Sequence, residues 1–271
     1  MSLKIRYICH DCYEMVLSSG KVLVMNPGTQ LEPKSPVNVD QFTGADYVAI
    51  TEDSYVTVAD LPALVKKFNS KVICSPHLGR ILHGRPFVSG FFNLDYANVV
   101  EATPGQTLRL DGLTVEVKQA EHISLLQSFR IKYRIETGKD AGPEMTIQDL
   151  RKVVPAIINL SPEAKKTVEK LEEAGIMHHD SVLNYLFQST DNLRIYYYFG
   201  GTYDFMRREL EAAHPNILII QLYGNIPEKV AEFAAESGAE VVIPLGVDWP
   251  KGDNRMLKVM AQHLKQPGLS A

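Results

Sequence analysis

Two spacings of apolar positions recur along the chain, and each predicts a different element. Short apolar and β-branched runs near the start predict strands, and a Ser19–Gly20 turn separates two of them. Tyr47–Ile50 predicts a buried strand, because its positions are apolar throughout whereas a half-exposed strand would alternate. A loop follows, and Asp60 stands as the N-cap of a helix LPALVKKF. Strand, loop and helix in this order predict a site at the carboxyl edge of a sheet.

A second group of strands is predicted after about residue 98, by the runs NVVEA, TLRL, LTVEVKQA and SFRIKYRIE. The Asp111–Gly112 turn marks a hairpin inside this group. Between about residues 137 and 191 the strand pattern gives way to helices, the clearest running from Ser161 as N-cap to Gly175. We therefore interpret 137–191 as a helical insertion.

The end of the insertion, Ser181–Phe187, is apolar almost all round, and we interpret it as a buried part of the helical region. Exposed apolar patches of this kind usually mark interaction sites. Leu183, Leu186 and Phe187 are therefore predicted to pack over the mouth of a cleft or against a second subunit, as in a homo-oligomer formed through the insertion.

The last part of the chain repeats strand and helix. LRIYYYF is a predicted strand, helices Asp204–Ala213 and Pro227–Ser237 each precede a strand, and a last helix spans about Asp253–Leu264. Mixed sheets with helices outside them suit an α/β (α+β) fold, a four-layer αββα sandwich. We expect one domain over residues 1–271 with the helical insertion inside it.

The composition predicts the compartment of the protein and excludes some classes of partner. The formal net charge of −4 gives no basic surface for nucleic acid. No apolar run is long enough to span a bilayer, and MSLKIRY lacks the apolar region of a signal peptide. Three cysteines are an odd number in a long chain, which favours a reducing compartment. The expectation is a cytoplasmic protein without nucleic-acid or membrane partners.

The loop TEDSYVTVADL resembles the signature T-H-x-H-x-D-H-x-x-D-L of the metallo-β-lactamase superfamily. Thr51, Asp60 and Leu61 stand where that signature has its Thr, its last Asp and its Leu. The four metal-ligand positions between them are occupied by Glu52, Ser54, Val56 and Thr57. The frame of the motif is present, and its ligands are replaced.

Other segments resemble one branch of that superfamily, the ascorbate-phosphate-lactonase-like branch. The start KIRYICHDCYEMVLSSGKVLVMNPG is similar to the first strands of that branch. The later hairpin LDGLTVEVKQAEHIS resembles a strand of the branch that ends in A-x-H-S, and this resemblance places His122 as the fifth metal ligand. Gly201 stands where the branch has an aspartate that bridges two metals, and Gly246 where it has a last histidine. The resemblance thus implies seven ligand positions, of which six are substituted and His122 is kept.

The resemblance implies the fold, but the substitutions argue against its chemistry. A catalytic zinc takes about three imidazole, carboxylate or thiolate ligands and keeps one position for water. Val56 and the two glycines offer no side-chain donor. We therefore expect no metal cofactor and no zinc hydrolase activity, but a divergent protein that binds a small ligand or a partner in the old cleft.

A rival hypothesis is a rebuilt site for one divalent cation, Mg²⁺, Mn²⁺ or Zn²⁺, which would make the protein a phosphoester or lactone hydrolase. The cleft candidates, all predicted near the same sheet edge, are Glu52, Asp53, His122, Asp204 and Asp248. The ligands would then be His122, Glu52, Asp204 and Asp248. The structural interpretations are an N-cap for Asp204 and solvated loop carboxylates for Asp53 and Asp248.

One further cluster is basic: His77 and His83 lie with Arg80 and Arg85 in SPHLGRILHGR. Such a cluster either contacts an anionic ligand or supports the C-terminal end of a helix. The helix-end role is the more common of the two.

Overall fold

The computed structural model describes residues 3–29, 37–83, 96–121, 125–153, 162–173, 176, 182–200, 203–221, 227–245, 258 and 260–262. Strands and helices alternate, and the strands form two β-sheets, which confirms the predicted α/β class. The chain divides into two compact units, Met1–Gln119 with Leu160–Leu193 and Ala120–Asn159 with Arg194–Ala271. The single-domain organisation stays a prediction.

The elements are numbered in chain order. The strands are β1 (Lys4–Cys9), β2 (Cys12–Val16), β3 (Val22–Met25), β4 (Tyr47–Ala49), β5 (Lys71–Cys74), β6 (Val99–Glu101), β7 (Thr107–Leu110), β8 (Leu113–Gln119), β9 (Leu183–Ser189), β10 (Arg194–Tyr198), β11 (Ile217–Gln221) and β12 (Val241–Leu245). The helices are α1 (Tyr55–Val58), α2 (Leu61–Phe68), α3 (Pro76–Leu82), α4 (Leu125–Thr137), α5 (Ile147–Val153), α6 (Pro162–Glu173), α7 (Tyr203–Ala213) and α8 (Pro227–Glu236).

In the first unit, β1 to β6 form a sheet in sequence order. β1, β2 and β3 are antiparallel, and the Ser19–Gly20 turn between β2 and β3 is where the sequence predicts it. β3, β4, β5 and β6 are parallel, so their carboxyl ends meet at one edge. Val24, Val48 and Val72 of these strands are fully buried among apolar residues of α2 and α3. The sheet thus holds the carboxyl ends of four neighbouring strands together at one edge.

The first unit also contains the antiparallel strands β7, β8 and β9. The predicted hairpin is confirmed, with Leu110 opposite Leu113 around the Asp111–Gly112 turn. Gly112 has a φ of +77°, in the left-handed region that favours glycine.

β9 corrects the interpretation of Ser181–Phe187 as helical. It pairs with β8 over its whole length, from Leu183 opposite Gln119 to Ser189 opposite Leu113. A short apolar run does not distinguish a buried helix from a strand buried on both faces, and pairing with β8 decided for the strand.

β9 also contains the side chains that were predicted to face a cleft or a second subunit. Leu183, Leu186 and Phe187 are buried within the chain itself, so their predicted burial is confirmed. Because they are strand residues, they do not form an apolar face on a helical insertion. A homo-oligomer formed through the helical region stays a prediction.

The helical region has different bounds from the predicted 137–191, because α4 begins at Leu125 and β9 begins at Leu183. The run SFRIKYRIE, predicted as a strand, is part of α4. Its apolar residues alternate with basic ones, but Leu126, Phe129 and Tyr133 also have helical spacing. In α4 these residues pack with Leu150 of α5, and this contact decided for the helix.

In the second unit, β10, β11 and β12 are parallel. α7 and α8 confirm the two predicted helices, and Arg207 of α7 donates two hydrogen bonds of 2.9 Å to Glu236 of α8. Of the predicted last helix, residues 258 and 260–262 are described and are helical. Among the helices that the structure describes, none is both long and apolar enough to cross a membrane.

The start of α5 is supported by a hydrogen-bonded carboxylate, Asp149, whose ionisation can be followed by changing the pH. Thr146 Oγ1 donates to Asp149 Oδ2 at 2.7 Å, and Asp149 N donates back to Thr146 Oγ1 at 3.3 Å. The bond from Thr146, with help from Lys152, lowers the pKa of Asp149 from 3.8 to about 2. Because this pKa is depressed, the support it gives α5 is complete above about pH 4 and is lost as the pH falls through about 2.

We expect the Asp149 carboxyl to titrate near pH 2 by carbon NMR in the wild-type protein. Thr146→Val removes the main cause of the shift while keeping the side-chain shape, so the midpoint should move up toward 3.8. Asp140→Asn is the control, since it removes a different carboxylate near α4. An unchanged midpoint in Thr146→Val would contradict the assignment.

Candidate functional site

The Thr51–Leu61 loop begins at the carboxyl edge of the first sheet and is fixed there by Asn26. Asn26 follows β3 with a φ of 45°. Its Oδ1 accepts from Thr51 N at 2.9 Å, and its Nδ2 donates to Thr51 Oγ1 at 2.9 Å. Both residues are buried, so these bonds form without competition from water. The ends of β3 and β4 are therefore joined by side chains as well as by the sheet.

β9 holds the same loop from another direction. Leu183 N donates to Thr51 O at 2.7 Å, and Val182 forms an isolated antiparallel bridge with Glu52. Tyr185 Oη donates to Ile50 O at 2.8 Å in the buried interior. This support was not predicted, because the sequence of the β9 segment was interpreted as part of a helical insertion.

Inside the loop, two hydroxyl groups are engaged by the backbone. Thr57 Oγ1 lies 2.6 Å from Glu52 O and 2.8 Å from Ser54 O, and donates to these carbonyls. Ser54 is the N-cap of α1, and its Oγ accepts from Val56 N at 3.4 Å. α1 is a helical turn that the sequence analysis described as loop. Ser54 and Thr57 thus stabilise this turn.

The end of the loop is clamped against residues 27–29. Asp60 precedes α2 as predicted, but its carboxylate makes no capping bond to that helix. It accepts instead from Thr29 N and Thr29 Oγ1, and Asp60 N donates to Pro27 O at 2.9 Å. Gly28 lies so close to α1 that a Cβ there would be 1.9 Å from Val56 O.

Glu52 and Asp53 are both buried, with 4% and 2% exposure, so the interpretation of Asp53 as a solvated carboxylate is wrong. Burial raises the pKa of Tyr55, and the carboxylates of Glu172 and Glu52 add to this shift. Asp53 has a defined partner, since its Oδ2 lies 2.6 Å from His77 Nδ1.

His77 belongs to the first turn of α3, directly after β5. Ser75 is the N-cap of this helix, and its Oγ accepts from Leu78 N at 3.1 Å. The His77 side chain is 29% exposed, whereas its partner Asp53 is almost completely enclosed. His77 therefore pairs with an acid and does not act only as part of a basic cluster.

The order of strands along the sequence contains a signal for this pair. Asp53 follows β4 and His77 follows β5, and these strands are parallel neighbours. Residues just after neighbouring parallel strands lie at the same sheet edge. Of the rest of that cluster, His83 is the C-cap of α3, Arg80 lies in its last turn, and Arg85 is outside the described residues.

The buried cysteines near this edge are held in the thiol form. Burial is the main cause that raises the pKa of Cys74, and Glu101 and Asp53 add to it. Burial also raises the pKa of Cys12, where Cys9 is the next cause. Since the thiolate is the reactive form, these side chains are not suited to nucleophilic attack.

Several sequence candidates are not placed by the structure. His122, Asp248, Gly201 and Gly246 lie outside the described residues. Asp204 is the second residue of α7, which begins at Tyr203, so it is not the N-cap of that helix. That these residues meet Glu52 in one cleft stays a prediction.

The described loop can be compared with the needs of a dinuclear metal centre. Among the residues that the structure describes, no three or more His, Cys, Asp or Glu side chains are arranged to hold a metal ion. Ser54 and Thr57 form hydrogen bonds with the backbone, and Asp53 forms one with His77. The side chain of Val56 has no atom that could bind a metal. The side chains of this loop do not fit such a centre.

Comparison with known proteins finds relatives by sequence and by structure. A protein of Koribacter versatilis, named a UPF0173 metal-dependent hydrolase, is 25% identical over 120 residues, which are 44% of this chain and 48% of that protein. The chain thus matches about half the length of this relative. No protein-family model matches the chain.

Two solved structures are similar over nearly the whole chain. Igni18, a metallo hydrolase of Ignicoccus hospitalis, has a TM-score of 0.59 at 14% identity, covering 90% of this chain and 82% of its own. The metallo-β-lactamase fold protein YhfI of Bacillus subtilis has a TM-score of 0.50 at 11% identity, covering 94% and 85%.

Proposed function

The chain is a metallo-β-lactamase-fold protein with sequence relatives named metal-dependent hydrolases, and from this premise we propose that it is a divergent member without the family's dinuclear zinc site. One observation carries the proposal. The hydroxyl of Thr57 is bonded to the carbonyls of Glu52 and Ser54, so a side chain at a ligand position of the resembled motif stabilises the loop.

In this proposal too few metal ligands remain for zinc. Loss of a residue that only supports a metal ligand typically costs tenfold or more in metal affinity. In the proposed alignment six of the seven direct ligands are replaced, and only His122 is kept. One imidazole with one carboxylate is below the usual set of three protein ligands for zinc. Tight zinc binding is therefore not expected.

In this proposal the old cleft binds a small molecule or a partner. The supporting feature is the edge where β3, β4 and β5 end, because ligands of open α/β sheets bind beyond the carboxyl ends of strands. Asn26, Thr51 and Asp60 hold the loop at this edge by buried hydrogen bonds, so its geometry is set before any ligand arrives.

A second candidate is a phosphoester or lactone hydrolase with a rebuilt mononuclear site, favoured by the name of the sequence relative. Such a site would hold one Mg²⁺, Mn²⁺ or Zn²⁺ through ligands drawn from His122, Glu52, Asp204 and Asp248. Bound there, the cation would supply an activated water. Glu52 suits this role in one respect, since it is a buried carboxylate beside Tyr55.

We further propose a cytoplasmic location and no nucleic-acid or membrane partner. The three cysteines, Cys9, Cys12 and Cys74, are buried and form no disulfide, which is compatible with a reducing compartment. The net charge of −4 disfavours nucleic acid.

Elemental analysis distinguishes the two candidates. Protein purified without chelator should carry far less than one zinc, manganese or magnesium ion per chain, and added zinc should leave the melting temperature unchanged. A metal raises that temperature only when it binds the folded state in preference to the unfolded chain.

The matched variants are His122→Ala and, as control, His214→Ala, which replaces an exposed histidine of the second unit. Stoichiometric zinc that is lost in His122→Ala and kept in His214→Ala would establish the rebuilt site. The divergent, zinc-free assignment would then be wrong.

A further inference from the structure

The strongest unassigned feature of the described residues is the pair of Asp53 and His77. It joins a carboxylate at 2% exposure to an imidazole at 29%, with 2.6 Å between Oδ2 and Nδ1. The two residues come from separate segments, the loop after β4 and the first turn of α3 after β5. Neither stands at one of the seven ligand positions of the resembled motif.

The pair determines which nitrogen of the imidazole is available. A carboxylate only accepts hydrogen bonds, so Nδ1 carries the proton and donates to Asp53 Oδ2. In the neutral ring the lone pair then lies on Nε2, on the opposite side from Asp53. The carboxylate is enclosed and the imidazole side chain is partly exposed, which makes Nε2 the candidate functional atom of the pair.

Burial makes this arrangement specific. An enclosed carboxylate must be paired to offset its lost hydration, and here the pairing also holds the ring in one tautomer and orientation. Ser75 fixes the start of α3 through its bond to Leu78 N, and so fixes the backbone that carries His77. Thr57 and Asn26 fix the loop that carries Asp53.

We propose that His77, positioned by Asp53, is a catalytic general base that hydrolyses activated carboxylic esters without a metal ion. Nε2 takes a proton from a water molecule, and the water oxygen bonds to the ester carbonyl carbon. The bond from that carbon to the leaving oxygen then breaks, and the imidazolium returns its proton to the leaving alkoxide. The products are a carboxylic acid and an alcohol, and no oxidant or co-reactant is consumed.

The substrate class follows from what the pair supplies. General-base assistance typically contributes a factor of about 10² to 10⁴. Because no electrophile is invoked at the carbonyl oxygen, only esters whose leaving alcohol is acidic should react. An anion-binding role suits the pair less well, because Asp53 neutralises the charge of a protonated His77.

The probe is p-nitrophenyl acetate, and release of p-nitrophenolate is measured with the full chain in the presence and absence of EDTA. The wild-type protein should hydrolyse it above the rate of buffer, equally with and without EDTA. His77→Gln should lower the rate of the protein roughly 100-fold, the lower end of the usual general-base contribution. His83→Gln, at the other end of α3, is the matched control and should keep the wild-type rate.

Asp53 is tested as a positioning residue by chemical rescue. Asp53→Asn should lower the rate by up to the same factor of roughly 100 as His77→Gln, because the amide no longer selects the Nδ1–H tautomer. Imidazole itself cleaves p-nitrophenyl acetate, so its rate in buffer is subtracted. Above that rate, added imidazole should restore hydrolysis in His77→Ala, where the ring is missing. It should not restore Asp53→Asn, where the native ring still fills the site. A role in folding alone would not produce this difference between the two variants.

A wild-type rate in His77→Gln overturns the proposal, and so does an equal loss in His83→Gln. Loss of activity with EDTA overturns it as well, since a metal would then be required. The proposal does not rest on the absence of zinc, because the pair lies outside the seven ligand positions. Failure of the zinc-free assignment is seen separately, as stoichiometric zinc in untreated protein.

Discussion

Gly28→Ala is expected to destabilise the protein by about 3 kcal/mol, the upper end of the usual cost of overpacking. A Cβ at this position would lie 1.9 Å from Val56 O and 2.6 Å from Val56 C. Both are backbone atoms of α1, so no side-chain rotation relieves the overlap. The loop must move, and the bonds from Thr29 to Asp60 must lengthen with it.

The measurement is chemical denaturation of the wild-type and variant proteins. Gly79→Ala is the matched control, since it makes the same change at a buried glycine whose nearest atoms belong to the side chain of Glu101. That side chain can move, and alanine favours the helix by up to about 1 kcal/mol, so the net effect should be small. Equal stability of Gly28→Ala and wild type would show that Gly28 does not contact α1.

The same variant connects the fold to the proposed general base. Displacement of α1 moves the loop that carries Asp53, while His77 stays on α3. Since a misplacement of 1 Å can cost about 10² in rate, ester hydrolysis should fall further than stability alone explains. The readout is the rate at a temperature where the variant is fully folded.

Leu186→Asp is expected to cost roughly 4 kcal/mol or more, the range reached when an unpaired charge is buried. Leu186 lies in β9 with 1% exposure. Its partner across the β8–β9 ladder is Glu116, so an aspartate there would also stand opposite a like charge. The variant should therefore unfold at much lower denaturant concentration than wild type.

Leu186→Met is the control, because a volume-conserving apolar exchange usually costs less than about 1.5 kcal/mol. Both variants are compared by denaturation and by solution mass. Unchanged stability in Leu186→Asp, together with a lower solution mass, would place Leu186 in a subunit interface and contradict its burial in β9.

The element predicted from the sequence was wrong for β9 and for part of α4, and both errors have the same physical cause. Both segments are compatible with a helix and with a strand: SFRIKYRIE alternates but also has helical spacing, and Ser181–Phe187 is apolar almost all round. Local sequence does not choose between such alternatives, because the choice depends on which partner buries the apolar side chains. Phe129 packs with Leu150 of α5, and Tyr185 and Phe187 pack within the β-sheet beside β8.

The candidate site was likewise predicted only in part from the sequence. The loop Thr51–Leu61 was predicted at a sheet edge from its place between a buried strand and a helix, and the structure confirms its position. That the carboxylate of Asp53 is buried, and that it holds His77, was not predicted. A side chain 24 positions away enters its environment only after β4 and β5 pair.

By itself, the sequence determined the α/β class, the Tyr47–Ile50 strand, the Asp111–Gly112 hairpin and the helices that follow β10 and β11. These depend on periodicity, turn residues and caps, which act within a few positions of the chain. Only the tertiary structure decided that Leu183–Phe187 belongs to a strand, that Ser54 and Thr57 stabilise α1, and that Asp53 and His77 form a pair. These depend on hydrogen bonds and burial between distant segments, which exist only after the chain has packed.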